Sequence, residues 1–318
     1  MPAGDRAAGR AAAEGGDHGW LTEIPGMLRD EPLSRHSQYG IGGPADWYLR
    51  LDDVARLPAL MRRCHQEGVG VTVVGAGSNS LVLDGGIRGL VVELPRGRLR
   101  ELTDDVVELS GGAMMPRAAL DCARRGIGGL EFGIGVPGTC GASVRGNAGA
   151  FGSEIKDVLI DCDVVTQDGS AGHLIRAELD FHYRDSRLKR DLAGQVVTTA
   201  RFRVRREDPG TVRALTDAIQ AERRATQPYN ARSLGSMFTN PPGDHAGRLI
   251  EMAGLKGARV GGAEVSLIHA NFVVNTGSAT AADVMALCDL IQRTVAERFG
   301  VHLIPEIAIL GEPGRRAA

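Results

Sequence analysis

Two glycine-rich turns are the residues whose type and spacing best suit chemistry. Gly75-Ala76-Gly77-Ser78-Asn79-Ser80 follows a short apolar run at residues 71–74. A strand opening into such a turn presents successive backbone N–H groups, which can cradle a phosphate as an anion nest. The spacing starts like Gly-x-Gly-x-x-Gly, but Ser80 stands at the third glycine and no amphipathic helix follows. That weakens a Rossmann fingerprint and leaves two readings, a phosphate cradle or an ordinary turn. The second turn spans residues 133–152, with seven glycines in twenty positions. Each glycine costs a helix or strand interior about 0.5–1 kcal/mol, so neither element fits. The interleaved Val136, Pro137, Cys140, Val144 and Phe151 also argue against a solvated linker. What remains is a loop brought close to a ligand, or a purely structural loop.

The elements that must hold these turns follow from periodicity. Val54, Leu57, Leu60 and Met61 recur at helical spacing and Gly68 follows as a stop, predicting a helix over residues 52–67. Strand-like runs occur at 71–74, 90–94, 106–109, 158–166 and 197–204, interrupted by a helix over 116–125 that Gly126 ends. The irregular order makes the fold α+β and not a βαβ repeat. A helix is expected from Pro209 to about Arg224. Further on, Thr280 and Asp283 have capping-box spacing, and Val284, Leu287, Ile291, Val295 and Phe299 form one apolar stripe before Gly300. This last helix is expected to pack on strands at 270–275 and 308–310.

Composition narrows the function class. A chain of 318 residues suffices for two or three domains, and a formal charge of −2 offers no cationic field for nucleic acid or an anionic membrane. A charged small ligand would need a few placed cations and backbone donors. The five cysteines are scattered and none forms a close pair, which suits free thiols in a reducing cytoplasm, and no metal site is read. No apolar run approaches the roughly 18 residues of a membrane span. Residues 1–19 lack the apolar stretch of a signal peptide and are expected to form a disordered leader.

Several ordered motifs go further. They are Tyr39-Gly40-Ile41-Gly42-Gly43-Pro44-Ala45-Asp46, then residues 74–81, then Gly135-Val136-Pro137-Gly138-Thr139-Cys140-Gly141 running on to Asn147-Ala148-Gly149-Ala150-Phe151-Gly152. Next come Tyr183-Arg184-Asp185-Ser186, Gly235-Ser236-Met237-Phe238-Thr239-Asn240-Pro241, Ala246-Gly247-Arg248-Leu249-Ile250, His269-Ala270-Asn271-Phe272 and Pro305-Glu306. As an ordered set over about residues 35–311, they resemble the UDP-N-acetylenolpyruvoylglucosamine reductase (MurB) family, in its shorter type II branch.

The resemblance implies an FAD-binding fold of the vanillyl-alcohol-oxidase type. Its two subdomains would span 20–80 and 81–209, with a C-terminal α+β substrate domain over 210–318. It also implies a monomeric cytoplasmic enzyme. The reaction implied is reduction of UDP-N-acetylglucosamine enolpyruvate to UDP-N-acetylmuramate, with non-covalent FAD and NADPH as reductant. By motif match, Arg184 and Glu306 would stabilise the charge that develops toward the substrate carboxylate, and Ser236 would protonate C2. Cofactor contacts are implied at Ile41, Gly42 and Gly43; at Gly75, Ala76, Gly77, Ser78, Asn79, Ser80 and Leu81; and at Pro137, Gly138, Thr139, Gly141, Ala142, Ser143, Asn147, Ala148 and Gly149. Substrate contacts are implied at Tyr183, Asn240, His269 and Asn271. Thr239 departs from the family pattern, where Lys is frequent, and removes a cationic contact. A flavin oxidase of the same superfold, or a non-catalytic flavin or nucleotide-sugar binder, are the rival functions.

Overall fold

Alternation at period two writes one sheet directly: in Val106–Ser110 every second side chain is buried. That strand sits in a five-stranded antiparallel sheet, in the order Ala171–Ile175, Leu159–Val165, Val196–Arg203, Val106–Ser110, Leu99–Glu101. The helix Met115–Arg124 and the Glu131–Gly135 turn join its core, in which Leu109, Cys122, Phe132 and Phe202 are buried together. The structure, a computed structural model, describes residues 18–314. The expected leader therefore lies outside the described residues apart from His18 and Gly19, and Gly19–Glu23 is a 3-10 turn whose Leu21 is buried.

A second sheet orders Leu28–Pro32, Pro44–Arg50, Ile87–Glu93 and Val71–Val74. Its first pair is antiparallel and the others parallel. The helix Leu57–Gln66 covers it through Leu57, Leu60, Met61 and Cys64 and stops at Gly68, where the backbone turns left-handed. Because Ile87–Glu93 lies between Pro44–Arg50 and Val71–Val74, a boundary at residue 80 would cut this sheet. The pairing spans a loop and leaves no local mark in the sequence.

The third sheet, Arg232–Ser236, Phe272–Asn275, Ala263–Val265, Arg259–Val260, packs against the helix Ala281–Phe299. The helix starts at a Thr280–Asp283 capping box and ends at left-handed Gly300, as its sequence predicts. Val273 shares its core with Val284, Leu287 and Ile291. The expected second partner, Ala308–Leu310, instead pairs in parallel with Ser80–Val82 of the N-terminal region. Asp84 adds a further tie, its carboxylate accepting the Ala281 and Ala282 amides at 2.9 Å each. The helix Pro209–Thr226, expected to open the C-terminal section, packs on Met115–Arg124 and Glu131–Gly135, with Ile219 against Ala119 and Ile134. It therefore belongs with the five-stranded sheet, and the third unit begins after it.

All five cysteines are buried and unpaired, and burial pushes their thiols up, that of Cys64 to about 11. No helix is long and apolar enough to cross a membrane, among the described residues.

Candidate active site

The two glycine-rich turns face each other. A Cβ at Gly75 would stand 2.7 Å from Thr139 Oγ1, and one at Gly138 would stand 3.4 Å from Ser78 Oγ. Gly77 is left-handed and lies against the His36 carbonyl and Ser37, an approach that a side chain would block at 2.8 Å. Among the described residues, the amides of Ala76, Gly77 and Ser78 donate to no acceptor, and neither do those of Thr139 and Ala142. Ser143 is buried and its hydroxyl donates to the Thr139 carbonyl at 2.8 Å, which fixes the first turn of Cys140–Arg145. Two opposed sets of free N–H groups fit the pyrophosphate of a dinucleotide.

Other residues expected at the cofactor are used by the protein itself. Ile41 and Leu81 are buried in the core of the third unit. The carbonyls of Gly42 and Gly43 accept from Ser34 and Leu33, and the Gly43 amide donates to Leu83. Ser80 pairs with Ala308. Gly141 donates to Gly111, and a Cβ there would stand 3.0 Å from the Val197 carbonyl. Ala148 donates to Ser143 and accepts from Ile155. Asn147 is fully buried: its Nδ2 donates to Glu154 Oε2 (3.1 Å) and the His182 carbonyl (2.8 Å), and its Oδ1 accepts the Lys156 amide (3.0 Å). Many of the glycines in this loop thus answer to close packing of protein on protein, a cause the sequence could not separate from ligand approach.

Arg184 and Glu306 meet. Arg184 Nε donates to Glu306 Oε1 at 3.0 Å, and Nη2 donates to the Gly149 carbonyl at 3.0 Å. Arg184 holds a left-handed backbone (φ 58°) at the tip of a turn closed by His182 and Asp185, each donating its amide to the other's carbonyl. Burial pushes the Glu306 carboxyl up from its ordinary range, and the Arg184 guanidinium opposes that shift. The Glu306 backbone makes two further contacts. Its amide donates to the Met237 carbonyl at 2.9 Å, beside Ser236, and its carbonyl accepts Asn79 Nδ2 at 3.4 Å. One residue therefore ties the glycine-rich turn at residues 75–80, the Arg184 turn and the strand that ends at Ser236.

The residues expected at the substrate have mixed positions. Tyr183 is half exposed, with the Arg184 guanidinium 4.9 Å from its ring centre. Asn271 is buried and clamps the chain beyond Ser236: its Oδ1 accepts the Phe238 amide (3.0 Å) and its Nδ2 donates to the Phe238 carbonyl (2.8 Å). Asn240 accepts the Ala246 amide at the start of Ala246–Met252, and His269 Nδ1 accepts the Asn271 amide. Burial lowers the His269 pKa from its ordinary 6.5. Thr239 donates its amide to the Ile304 carbonyl. A groove of about 520 Å³ lined by Pro58, Asp163, His173 and Thr199 contains none of these residues. Glu154, which approaches Arg184, was missed; it lies just past the last glycine of the loop, where nothing local marks it.

Comparison with known proteins follows the same lines. Residues 45–174 match the FAD binding domain, and residues 227–310 match the UDP-N-acetylenolpyruvoylglucosamine reductase C-terminal domain. UDP-N-acetylenolpyruvoylglucosamine reductase 2 of Symbiobacterium thermophilum is 44% identical over 289 residues, covering 90% of this chain and 93% of that one. The reductase of an Anaeromyxobacter strain is 43% identical over 303 residues, covering 93% and 94%. The crystal structure of UDP-N-acetylenolpyruvylglucosamine reductase (MurB) from Thermus caldophilus superposes with a TM-score of 0.76 at 32% identity, covering 90% of this chain and 98% of that one. With an FAD-binding domain, the matching C-terminal domain and full-length relatives, this chain is an oxidoreductase belonging to the UDP-N-acetylenolpyruvoylglucosamine reductase family.

Proposed function

We propose that this enzyme reduces the enolpyruvyl ether of UDP-N-acetylglucosamine to the lactyl ether, with NADPH as reductant, in the cytoplasmic synthesis of a peptidoglycan precursor, acting as a monomer. The observation that carries the reading is the convergence on Glu306 of Arg184, Asn79 and the chain beside Ser236. Bound FAD supplies the hydride for such a reduction. The free amides of Ala76–Ser78, Thr139 and Ala142 would hold its pyrophosphate.

The chain's own residues have two tasks. Hydride addition to the enolpyruvyl C3 leaves negative charge at C2 that spreads into the carboxylate, and a preorganised cation stabilises it most where water is excluded. Arg184, three-quarters buried and held at two of its nitrogens, fits that task, with Glu306 fixing its plane. C2 then needs a proton. Ser236 is a poor acid in water, so it serves only if held beside that carbon. The bonded frame around it, Met237 to Asn271 and Glu306, supplies such holding.

The test is NADPH oxidation by FAD-loaded protein under exclusion of oxygen, with and without UDP-N-acetylglucosamine enolpyruvate. Strong dependence on that substrate is expected. A normal flavin spectrum with no such dependence would overturn the reading in favour of an oxidase or a binding protein.

A further inference from the structure

Arg184 has one nitrogen that the structure leaves without an acceptor. Nε and Nη2 are bonded, whereas Nη1 is buried and makes no hydrogen bond. Glu154 Oε1 stands 3.6 Å from it, within ion-pair range but too far for a hydrogen bond. A buried N–H without an acceptor is costly, so the arrangement calls for a cause.

Glu154 is not free to close the gap. Its Oε2 accepts Asn147 Nδ2 at 3.1 Å and Lys156 Nζ at 2.7 Å. It is the cross-strand partner of Gly149 in a hairpin that turns through left-handed Phe151 and Gly152. Gly149 is the residue whose carbonyl takes Arg184 Nη2, so both strands of the hairpin face the guanidinium. Asn147 also holds the His182 carbonyl, at the base of the turn that carries Arg184. The contacts therefore close a ring: Asn147 to Glu154, Glu154 to Arg184, and the Arg184 turn back to Asn147.

We infer that Glu154 is a positioning residue for Arg184. Its carboxylate, held back by Asn147 and Lys156, draws Nη1 to its side of the guanidinium without bonding it. That N–H is kept available to an incoming substrate carboxylate and does not fold onto Glu306. The role attributed to the substrate carboxylate rests on the proposed reaction; the orientation of Arg184 does not.

The test uses holoenzyme with arginine labelled with ¹⁵N and ¹³C, the Arg184 signal being assigned by its loss in Arg184→Lys. In the wild type the two Nη signals of Arg184 should be separate, because rotation about the Cζ–N bonds is hindered. They should merge in Glu154→Gln. Lys156→Ala, at a more exposed position, should show a weaker version and carries the test if the first variant fails to fold. In anaerobic stopped-flow work, flavin reduction by NADPH should keep its rate in Glu154→Gln. Reoxidation by substrate should slow about 100-fold, as expected when a reacting group is misplaced by an ångström. The losses in kcat and kcat/KM should then be equal. Arg184 signals that stay separate in both variants would overturn the inference, and equal slowing of both half-reactions with unchanged signals would reduce Glu154 to a structural partner of Asn147 and Lys156. Merged signals in Glu154→Gln, with no substrate-dependent turnover in the wild type, would uphold the positioning of Arg184 and sink the proposed reaction.

Discussion

Arg184 and Glu306, 122 positions apart, are joined by a 3.0 Å hydrogen bond from Nε to Oε1, and both side chains are largely buried. A buried ion pair is weak evidence for stability, because desolvation offsets most of the attraction. The pair is better understood through its surroundings: the backbone of the same Glu306 reaches Asn79 and Met237, so the bond sets Arg184 relative to both the glycine-rich turn at residues 75–80 and Ser236.

Ser236→Ala should separate the two half-reactions. Flavin reduction by NADPH is expected to keep its rate, while reoxidation by the enolpyruvyl substrate should slow by about 10²–10⁴-fold, the usual contribution of a positioned proton donor. Rapid-mixing absorbance of the flavin measures both. Equal loss in the two phases would remove Ser236 from the donor role.

Glu306 should leave a mark on pH-dependent stability. Burial raises its folded-state pKa above the ordinary 4.5. Its contribution is therefore fully present below the unfolded value and lost as pH rises through the folded one. Urea unfolding across that window should show the wild type losing stability relative to Glu306→Gln as pH increases. The opposite slope would mean that Arg184 dominates the carboxyl's environment.

Asn271→Ala should destabilise the fold by about 2–5 kcal/mol, since it leaves the buried amide and carbonyl of Phe238 without partners and opens a void. Asn271 is 3% exposed, so water cannot take its place without entering the core. Chemical denaturation gives the number, and a loss under about 1 kcal/mol would show that the Phe238 backbone finds other partners.

The glycines of the 133–152 loop should divide into two kinds. A Cβ at Gly149 would meet Glu154 Cγ and the Ser153 carbonyl at 2.6 Å, so Gly149→Ala should lower stability by about 1–3 kcal/mol even without cofactor. At Gly138 the nearest atom is Ser78 Oγ at 3.4 Å, an ordinary contact. Gly138→Ala should keep the unfolding midpoint of the apoprotein but weaken FAD binding about tenfold, equivalent to about 1.4 kcal/mol. Calorimetric titration with FAD and thermal melts of the apoprotein separate the two. An unchanged FAD affinity in Gly138→Ala would place the cofactor elsewhere.

What the sequence determined by itself is whatever depends on a few neighbouring residues. The Val71–Val74 strand, the Leu57–Gln66 helix with its Gly68 stop and the Thr280–Asp283 capping box all follow from periodicity and local hydrogen-bonding chemistry. The paired glycine-rich turns, and the order of motifs that carries the family resemblance, were equally legible. Tertiary structure decided what depends on residues far apart in the chain. It set Ile87–Glu93 between Pro44–Arg50 and Val71–Val74, packed Pro209–Thr226 on the Met115–Arg124 helix beside the five-stranded sheet and paired Ala308–Leu310 with Ser80–Val82. It also buried Ile41 and Leu81 in a core built mostly from the C-terminal third, and it gave Asn147 and Asn271 internal hydrogen bonds to distant parts of the chain. Periodicity reports which face of an element is buried and not what buries it, and an amide side chain looks the same in sequence whether its partner is a ligand or a distant backbone. Glu154 beside Arg184 is such a case: only the folded hairpin brings that carboxylate to the guanidinium.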